Sequence, residues 1–155
     1  MIITEINTRV AKHTDLPQIV DLKISMLLEA GSLDLLATNA YEIIKDSYSN
    51  LYLQNQAVHF VAEQNNNLLA MVGAFVKSDI PFAYFNNSEY GFICDVYTTT
   101  PYRRTNLTKT LSLLAIDWLK FQGVGNFRLL ASNTGKPVYA KLGFEENDDY
   151  SFLEE

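Results

Sequence analysis

One unit in the second half of the chain constrains the fold most, because two apolar strands there flank a long amphipathic helix. Residues 90–98 and 127–131 are short apolar runs of the kind that form buried strands. Between them, residues 106–122 repeat apolar side chains at helical spacing, and Gly123 is placed to end the helix. Because such a crossover is right-handed and joins parallel strands, the unit predicts one parallel strand pair.

The remaining segments predict a mixed sheet flanked by helices. Asn65-Asn66-Asn67 is a turn signal, because Asn tolerates the left-handed backbone conformation, and it separates two strands of a hairpin. We therefore expect an α/β fold with a mostly antiparallel sheet, in a single domain over residues 1–155. The other predicted elements are strands at 8–11, 59–63 and 69–76, helices at about 14–31, 32–52 and 135–142, and a returning strand within 144–153.

Composition excludes several classes of function. The formal net charge of -6 and the lack of a basic stripe argue against nucleic acid as a partner. No apolar run is long enough to span a membrane, and no signal peptide is visible, so we expect a cytoplasmic protein. The single cysteine, Cys94, lies in an apolar run and is interpreted as a small core residue. Neither His13 nor His59 has a metal-ligand spacing, so no metal site is predicted.

Two motifs carry chemistry. Residues 103–108 (RRTNLT) open the long helix, where free backbone N–H groups and the helix dipole favour an anion. Residues 139–144 (YAKLGF) end a short helix. Together the two motifs resemble the GCN5-related N-acetyltransferase (GNAT) superfamily, which has an Arg/Gln-x-x-Gly-x-Gly/Ala loop followed by a Tyr-x-x-Leu-Gly-Phe segment. The resemblance covers most of the chain except residues 32–58 and 78–88.

The resemblance implies the GNAT fold, with one splayed parallel strand pair, and acetyl-CoA as the acyl donor. The loop would bind the pyrophosphate, and the strand before it would pair its backbone with the pantetheine arm. Ser132 stands where many of these proteins have a cofactor-contacting Asn, and Asn133 could serve instead; both could also simply cap a helix. The implied cofactor-binding residues are Val96, Tyr97, Thr98, Arg103, Arg104, Thr105, Asn106, Leu107, Thr108, Ser132 and Asn133.

The loop departs from the family pattern at its two small positions. Asn106 can adopt the left-handed conformation that Gly would take there. Thr108 is β-branched, so it would either crowd the pyrophosphate or donate a hydrogen bond to it through its hydroxyl. The sequence leaves both alternatives open.

The resemblance also implies catalytic residues. Tyr139 matches the tyrosine that protonates the departing CoA sulfur, although a core tyrosine would show the same pattern. Asp95 lies inside an apolar strand, so its pKa should be raised or its carboxylate paired. It is the candidate for a base or an acceptor-positioning group, and the alternative is a structural, hydrogen-bonded aspartate.

The chain is thus expected to be an N-acetyltransferase in which an amine attacks acetyl-CoA directly in a ternary complex. The acceptor would be a small-molecule amine or a protein amino group, and the enzyme a monomer or homodimer. The alternative is a non-catalytic GNAT-like domain that binds CoA or a partner, which the altered loop would suit.

Overall fold

The computed structural model describes residues 5–31, 38–80, 88–131 and 135–146. Its strands are β1 (Asn7–Val10), β2 (Ala57–Gln64), β3 (Asn67–Ser78), β4 (Glu89–Thr98) and β5 (Phe127–Leu129). Its helices are α1 (Leu16–Glu29), α2 (Ala40–Leu53), α3 (Leu107–Phe121) and α4 (Lys136–Lys141). Within these ranges the predicted elements are present, with bounds shifted by a few residues. The start of the predicted second helix and most of the predicted last strand lie outside the described residues.

The five strands form one sheet in the order β1-β2-β3-β4-β5. All neighbours are antiparallel except β4 and β5, which are the predicted parallel pair. That pair is short: it joins Gly91 to Phe127, Phe92 to Arg128 and Ile93 to Leu129. Beyond Ile93, β4 continues to Thr98 with no β5 partner, so among the described residues no strand pairs with this side of its last residues. The predicted mixed α/β fold with its splayed pair is confirmed.

Helices cover both faces of the sheet. One side of the sheet is covered by α1 and α2, and we call it the α1/α2 face. Its core consists of buried side chains from both helices and the sheet, with Ile19, Tyr48, Val61 and Met71 among them. The other side of the sheet is covered by α3, and we call it the α3 face. The apolar stripe of α3 packs against the sheet there. The stripe consists of Leu107, Leu111, Ala115 and Leu119. Among the described residues, no helix is long and apolar enough to cross a membrane.

A bulge interrupts β4 beside the point where β5 ends. Gly73 of β3 pairs with Cys94, and Met71 pairs with Tyr97, so two residues of β4 oppose a single residue of β3. The two bulged residues are Asp95 and Val96. Asp95 has φ of 56°, in the left-handed region that Asp tolerates better than most residues.

The bulge changes which face of the sheet the Asp95 side chain occupies. Cys94 packs on the α1/α2 face, and strict alternation would send the next side chain to the α3 face. Because the bulge inserts an extra residue, the Asp95 side chain also points to the α1/α2 face, where Lys23 and Tyr48 bind it. Val96 then packs on the α3 face, and the alternation resumes.

Candidate active site

A buried carboxylate is the centre of the polar cluster on the α1/α2 face. The Asp95 side chain is only 1% exposed. It accepts hydrogen bonds from Lys23 Nζ at 2.5 Å, Tyr48 Oη at 2.6 Å and His59 Nε2 at 3.0 Å. The other ring nitrogen of His59 lies 2.6 Å from the Tyr52 hydroxyl. We call Asp95, Lys23, Tyr48, His59 and Tyr52 the Asp95 network.

The local sequence places these donors by ordinary periodicity. In α1, Lys23 follows Ile19 and Val20 at helical spacing, so its stem shares their buried stripe while 24% of the side chain stays exposed. In β2, His59 lies midway between Ala57 and Val61 at two-residue spacing, so all three side chains point to the α1/α2 face. The His59 ring is fully buried. The network thus joins two helices to two strands.

Gly73 lets His59 reach across the sheet. It pairs with His59 on β2 and with Cys94 on β4, so it lies directly beneath the path from the imidazole to Asp95. A Cβ at this position would lie 2.9 Å from the Cys94 carbonyl oxygen and 3.2 Å from His59 Nε2. Any larger residue would therefore push the strands or the ring apart.

The network keeps Asp95 ionised. Burial alone would raise its pKa, but the hydrogen bonds and charges of His59 and Lys23 outweigh burial, and the pKa of Asp95 is well below its usual range. An ionised carboxylate only accepts, so His59 Nε2 is the donor in their hydrogen bond. Burial and the nearby carboxylate raise the pKa of Tyr48, and they raise the pKa of Cys94 to about 12, which makes Cys94 a thiol at neutral pH. This agrees with its interpretation as a core residue.

The loop before α3 has the backbone geometry of an anion site. Asn106 has φ of 65° immediately before the helix, which confirms that it takes the left-handed conformation. Arg104 is also left-handed, at 66°, which the sequence did not predict. The Asn106 side chain makes no capping hydrogen bond, so this residue does not occupy the first-turn amides of α3. Thr105 closes the turn by donating to the Tyr102 carbonyl oxygen at 2.5 Å.

Arg103, one of the implied cofactor-binding residues, makes two contacts within the protein, and its role toward the pyrophosphate stays a prediction. Its Nε donates to the Thr98 carbonyl at 2.8 Å, and its Nη2 lies 2.7 Å from the Glu29 carboxylate. The second Glu29 oxygen accepts from the Tyr97 hydroxyl at 2.7 Å, so Glu29 ties the end of α1 to both β4 and the loop. Arg104 is exposed and makes no contact of this kind with the described residues.

Two further loop residues face inward. The Leu107 side chain is buried in the α3 face, so only its backbone is available to a ligand. The Thr108 hydroxyl lies 3.3 Å from that of Thr98, which directs it toward the end of β4. Either hydroxyl can be the donor in this contact. Crowding and hydrogen bonding by Thr108 therefore both stay open as predictions.

The pairing of β4 with β3 determines which backbone groups of Val96, Tyr97 and Thr98 are directed away from β3, toward the predicted position of the pantetheine arm. Thr98 pairs with Ala70 while Thr99 N donates to the Leu69 carbonyl, which makes Thr98 a non-hydrogen-bonded position whose own N–H and C=O point away from β3. Tyr97 alternates with it, so its backbone is directed to β3. Its peptide groups belong to the ladder with Met71, and the contact of Tyr97 with the pantetheine arm stays a prediction. Val96 is left without a β3 partner by the bulge.

Tyr139 lies on the opposite side of the sheet from the Asp95 network. It is 5% exposed, its ring packs edge-on against Phe144, and its hydroxyl has no hydrogen-bond partner among the described residues. The fully buried Ser112 hydroxyl of α3 likewise lacks a partner there. Burial raises the pKa of Tyr139, and nearby Ser112 lowers it in part. The predicted cofactor residues Ser132 and Asn133 lie outside the described residues.

Sequence reasoning missed several residues of these clusters, although some left a signal. Lys23 lies on an apolar helical stripe and His59 on the inward face of a strand, and polar residues at such positions need a buried partner. Glu29 and Ser112 left no comparable signal, since an acidic residue at a helix end and a small residue in a stripe are both common. Among the described residues, no group of three or more potential metal ligands occurs.

Comparison with known families decides the identity of the fold. The sequence model of the acetyltransferase (GNAT) family matches residues 30–144, well over half of the chain. The chain belongs to the GNAT acetyltransferase family. As a GNAT protein it is an acyltransferase, and the resemblance drawn from its two motifs is confirmed. Among curated proteins, none matches the sequence.

Solved structures share the GNAT fold over nearly the whole chain. A predicted acetyltransferase from Clostridium acetobutylicum, solved with acetyl-CoA, is 23% identical with a TM-score of 0.85, covering 97% of this chain and 96% of its own. A GCN5-related N-acetyltransferase from Ralstonia eutropha is 21% identical with a TM-score of 0.84, covering 97% and 99%. Glucosamine-6-phosphate N-acetyltransferase from Arabidopsis thaliana is 17% identical with a TM-score of 0.74, covering 97% and 98%.

Proposed function

We propose that this protein transfers an acetyl group from acetyl-CoA to an amine by direct attack in a ternary complex. One observation carries the proposal: the Tyr139 hydroxyl is buried beside α3 without a partner among the described residues. A buried unsatisfied hydroxyl costs roughly 1–3 kcal/mol, so such a group is retained where a ligand satisfies it. The sulfur of a bound thioester is the ligand that the family suggests.

Two features would hold the donor. The pyrophosphate would bind the amides at the start of α3, with the exposed side chains of Arg104 and Lys109 adding charge. The pantetheine arm would lie along the open edge of β4 and pair with the backbone of Val96 and Thr98. The carbonyl of Thr98 is already bound by Arg103, so its N–H is the group left for this pairing.

The bulge would supply the electrostatic part of catalysis. The register sets Asp95 and Val96 opposite a single residue of β3, at the point where the parallel strands separate, and we propose that a peptide N–H of this bulge faces the thioester there. Such fixed donors stabilise the oxyanion that forms when the amine attacks the thioester carbonyl. As the C–N bond forms and the C–S bond breaks, the thiolate takes the proton of Tyr139.

Asp95 fits a positioning role better than that of a base. Its three hydrogen bonds and its lowered pKa leave it a weak proton acceptor. We propose that it fixes the Lys23 ammonium and the bulge, and so shapes the wall that an acceptor meets on the α1/α2 face. The amine proton would then leave through water.

A second candidate is a non-catalytic CoA-binding domain. The ion pair of Arg103 with Glu29 favours it, since the side chain in the position of the family arginine is occupied within the protein. This candidate predicts binding of CoA without turnover.

The decisive experiment compares binding with turnover. Thermal melting with acetyl-CoA should give a shift; ligand at about 100 times its Kd stabilises by about 2.7 kcal/mol. CoA thiol release is then followed with glucosamine 6-phosphate, an aminoglycoside, spermidine and lysine as acceptors. Tyr139→Phe should lower kcat by about a hundred-fold, because it removes a general acid, and leave the Kd of acetyl-CoA unchanged.

A matched variant controls for the loss of any tyrosine hydroxyl. Tyr90→Phe changes a partly exposed tyrosine at the start of β4 and should keep full activity. A melting shift with no turnover on any amine favours the non-catalytic candidate. Turnover that Tyr139→Phe leaves intact removes the acid role of Tyr139.

A further inference from the structure

Two buried hydroxyls on the α3 face share the same deficiency. The oxygens of Ser112 and Tyr139 are the two buried side-chain polar atoms that lack a partner in the part of the chain that the structure describes. Ser112 is fully buried on the apolar stripe of α3, where it follows Leu111. A serine in mid-helix usually bonds to the carbonyl four residues earlier, and Ser112 does not.

The two groups are neighbours. The Tyr139 ring packs edge-on against Phe144, which lies in the same core as Leu111 and Ala115, the α3 residues on either side of Ser112. In line with this placement, Ser112 lowers the pKa of Tyr139 against the larger effect of burial. Neither oxygen makes a hydrogen bond with a described residue, so each is still available to bond to the other. Ser112 is thus the group among the described residues that can act on the Tyr139 oxygen.

We propose that Ser112 is a positioning residue that donates a hydrogen bond to Tyr139 and stabilises the phenolate formed during acetyl transfer. The proposal rests on the proposed function, since it needs Tyr139 to act as the acid. It also explains why an apolar helical stripe contains a hydroxyl with no partner of its own.

The proton balance shows when the contact matters. The amine forms the C–N bond to the acetyl carbon, the C–S bond breaks, and the CoA thiolate takes the phenolic proton. Tyr139 is left as a buried phenolate, which is costly without a donor. The Ser112 O–H donates a charge-assisted hydrogen bond to this phenolate. The proton that the attacking amine releases then returns through water to the Tyr139 oxygen.

A double-mutant cycle tests the proposal. Ser112→Ala should lower kcat about ten-fold and leave the KM of acetyl-CoA unchanged, because the bond forms only as the phenolate develops. In the Tyr139→Phe background, Ser112→Ala should have no further effect. The solvent isotope effect on kcat should rise in Ser112→Ala, because proton transfer becomes slower. Ser112→Cys, which keeps a weak donor, should recover part of the rate.

The readouts are CoA thiol release with an amine that turns over and acetyl-CoA hydrolysis without amine, since both protonate the same thiolate. Thr110→Ala, an exposed hydroxyl on the same helix, is the control and should match wild type. If Tyr139→Phe is impaired but Ser112→Ala is not, the role of Ser112 is overturned and the proposed function stands. An equal loss from Ser112→Ala in both backgrounds also overturns it, as packing alone would act this way. If Tyr139→Phe is fully active, the acid assignment fails and Ser112 loses its role with it.

Discussion

The two faces of the sheet hold buried polar clusters of opposite character. On the α1/α2 face, Asp95 accepts three hydrogen bonds and its partner His59 is bonded at both ring nitrogens. On the α3 face, Tyr139 and Ser112 are just as buried, and neither hydroxyl has a partner among the described residues.

This difference separates structural from ligand-directed polar groups. A satisfied buried network repays the cost of desolvation inside the protein, so its loss should be felt in folding. An unsatisfied group contributes little to folding and is completed by a ligand, so its loss should be felt in catalysis. The bulge at Asp95 and Val96 lies between the clusters and connects the two roles.

The largest effect on folding is expected from Asp95→Asn. Asn tolerates the left-handed φ of 56° as Asp does, so the substitution removes the charge without adding backbone strain. It leaves the Lys23 ammonium and the buried His59 without their carboxylate. We expect the free energy of unfolding, measured with urea, to fall by about 3 kcal/mol.

Two comparisons check the Asp95 result. Asp21→Asn, at an exposed position of α1, should leave stability unchanged, and Tyr139→Phe should alter it by less than about 1 kcal/mol. The folded-state pKa of Asp95 is lowered, so its contribution is complete above the ordinary aspartate pKa of roughly 4 and is lost as the pH falls below it. The difference in free energy of unfolding between wild type and Asp95→Asn should therefore become smaller as the pH falls below about 4. Equal free energies of unfolding for wild type and Asp95→Asn at pH 7 would show that the Asp95 network does not stabilise the fold.

A smaller effect on folding is expected from Gly73→Ala. The new Cβ would lie 2.7 Å from the Phe75 ring and 2.9 Å from the Cys94 carbonyl oxygen, so β3 must shift or His59 must retreat. We expect a loss of about 2 kcal/mol in the free energy of unfolding. Gly125→Ala, which meets nothing within 4 Å, is the matched control and should be neutral. If both variants are equally stable, the close approach at Gly73 is not important.

The fold could be predicted from the sequence because its signals are local. Helical spacing in α3, the strand runs on either side of it and the Asn turn each specify one element, and the right-handed crossover sets the parallel pair. Asn106 could also be predicted, since few residues other than Gly take its conformation. These features depend on side chains that are near each other in the chain.

The site could be predicted only in outline, because its geometry depends on distant residues. The bulge that turns Asp95 toward Lys23 adds one residue to β4 without a Gly or Pro to mark it. The hydrogen bond from His59 crosses β3 above Gly73, a contact that no spacing along the chain encodes. Glu29 binds Arg103, 74 residues later, and this contact likewise has no signal in the spacing along the chain.

The smallest expected effect is on the Kd of acetyl-CoA, from a substitution of Glu29, which joins the end of α1 to the loop before α3. Tyr97 and Arg103 together hold the pKa of Glu29 below its usual value, so Glu29 is an anion that competes with phosphate for Arg103. Glu29→Gln should release the guanidinium and lower the Kd of acetyl-CoA a few-fold, at most about five-fold for an exposed ion pair. Titration at two salt concentrations should show a steeper salt dependence in the variant, since one more cation reaches the ligand.

Glu42→Gln, at an exposed position of α2, removes the same charge away from the loop and controls for the change in net charge. It should leave both the Kd and its salt dependence unchanged. If Glu29→Gln instead weakens acetyl-CoA binding, Glu29 serves to hold the loop in its binding shape. Arg103 would then act through its bond to the Thr98 carbonyl, and the loop would belong with the Asp95 network among the groups whose partners lie within the protein.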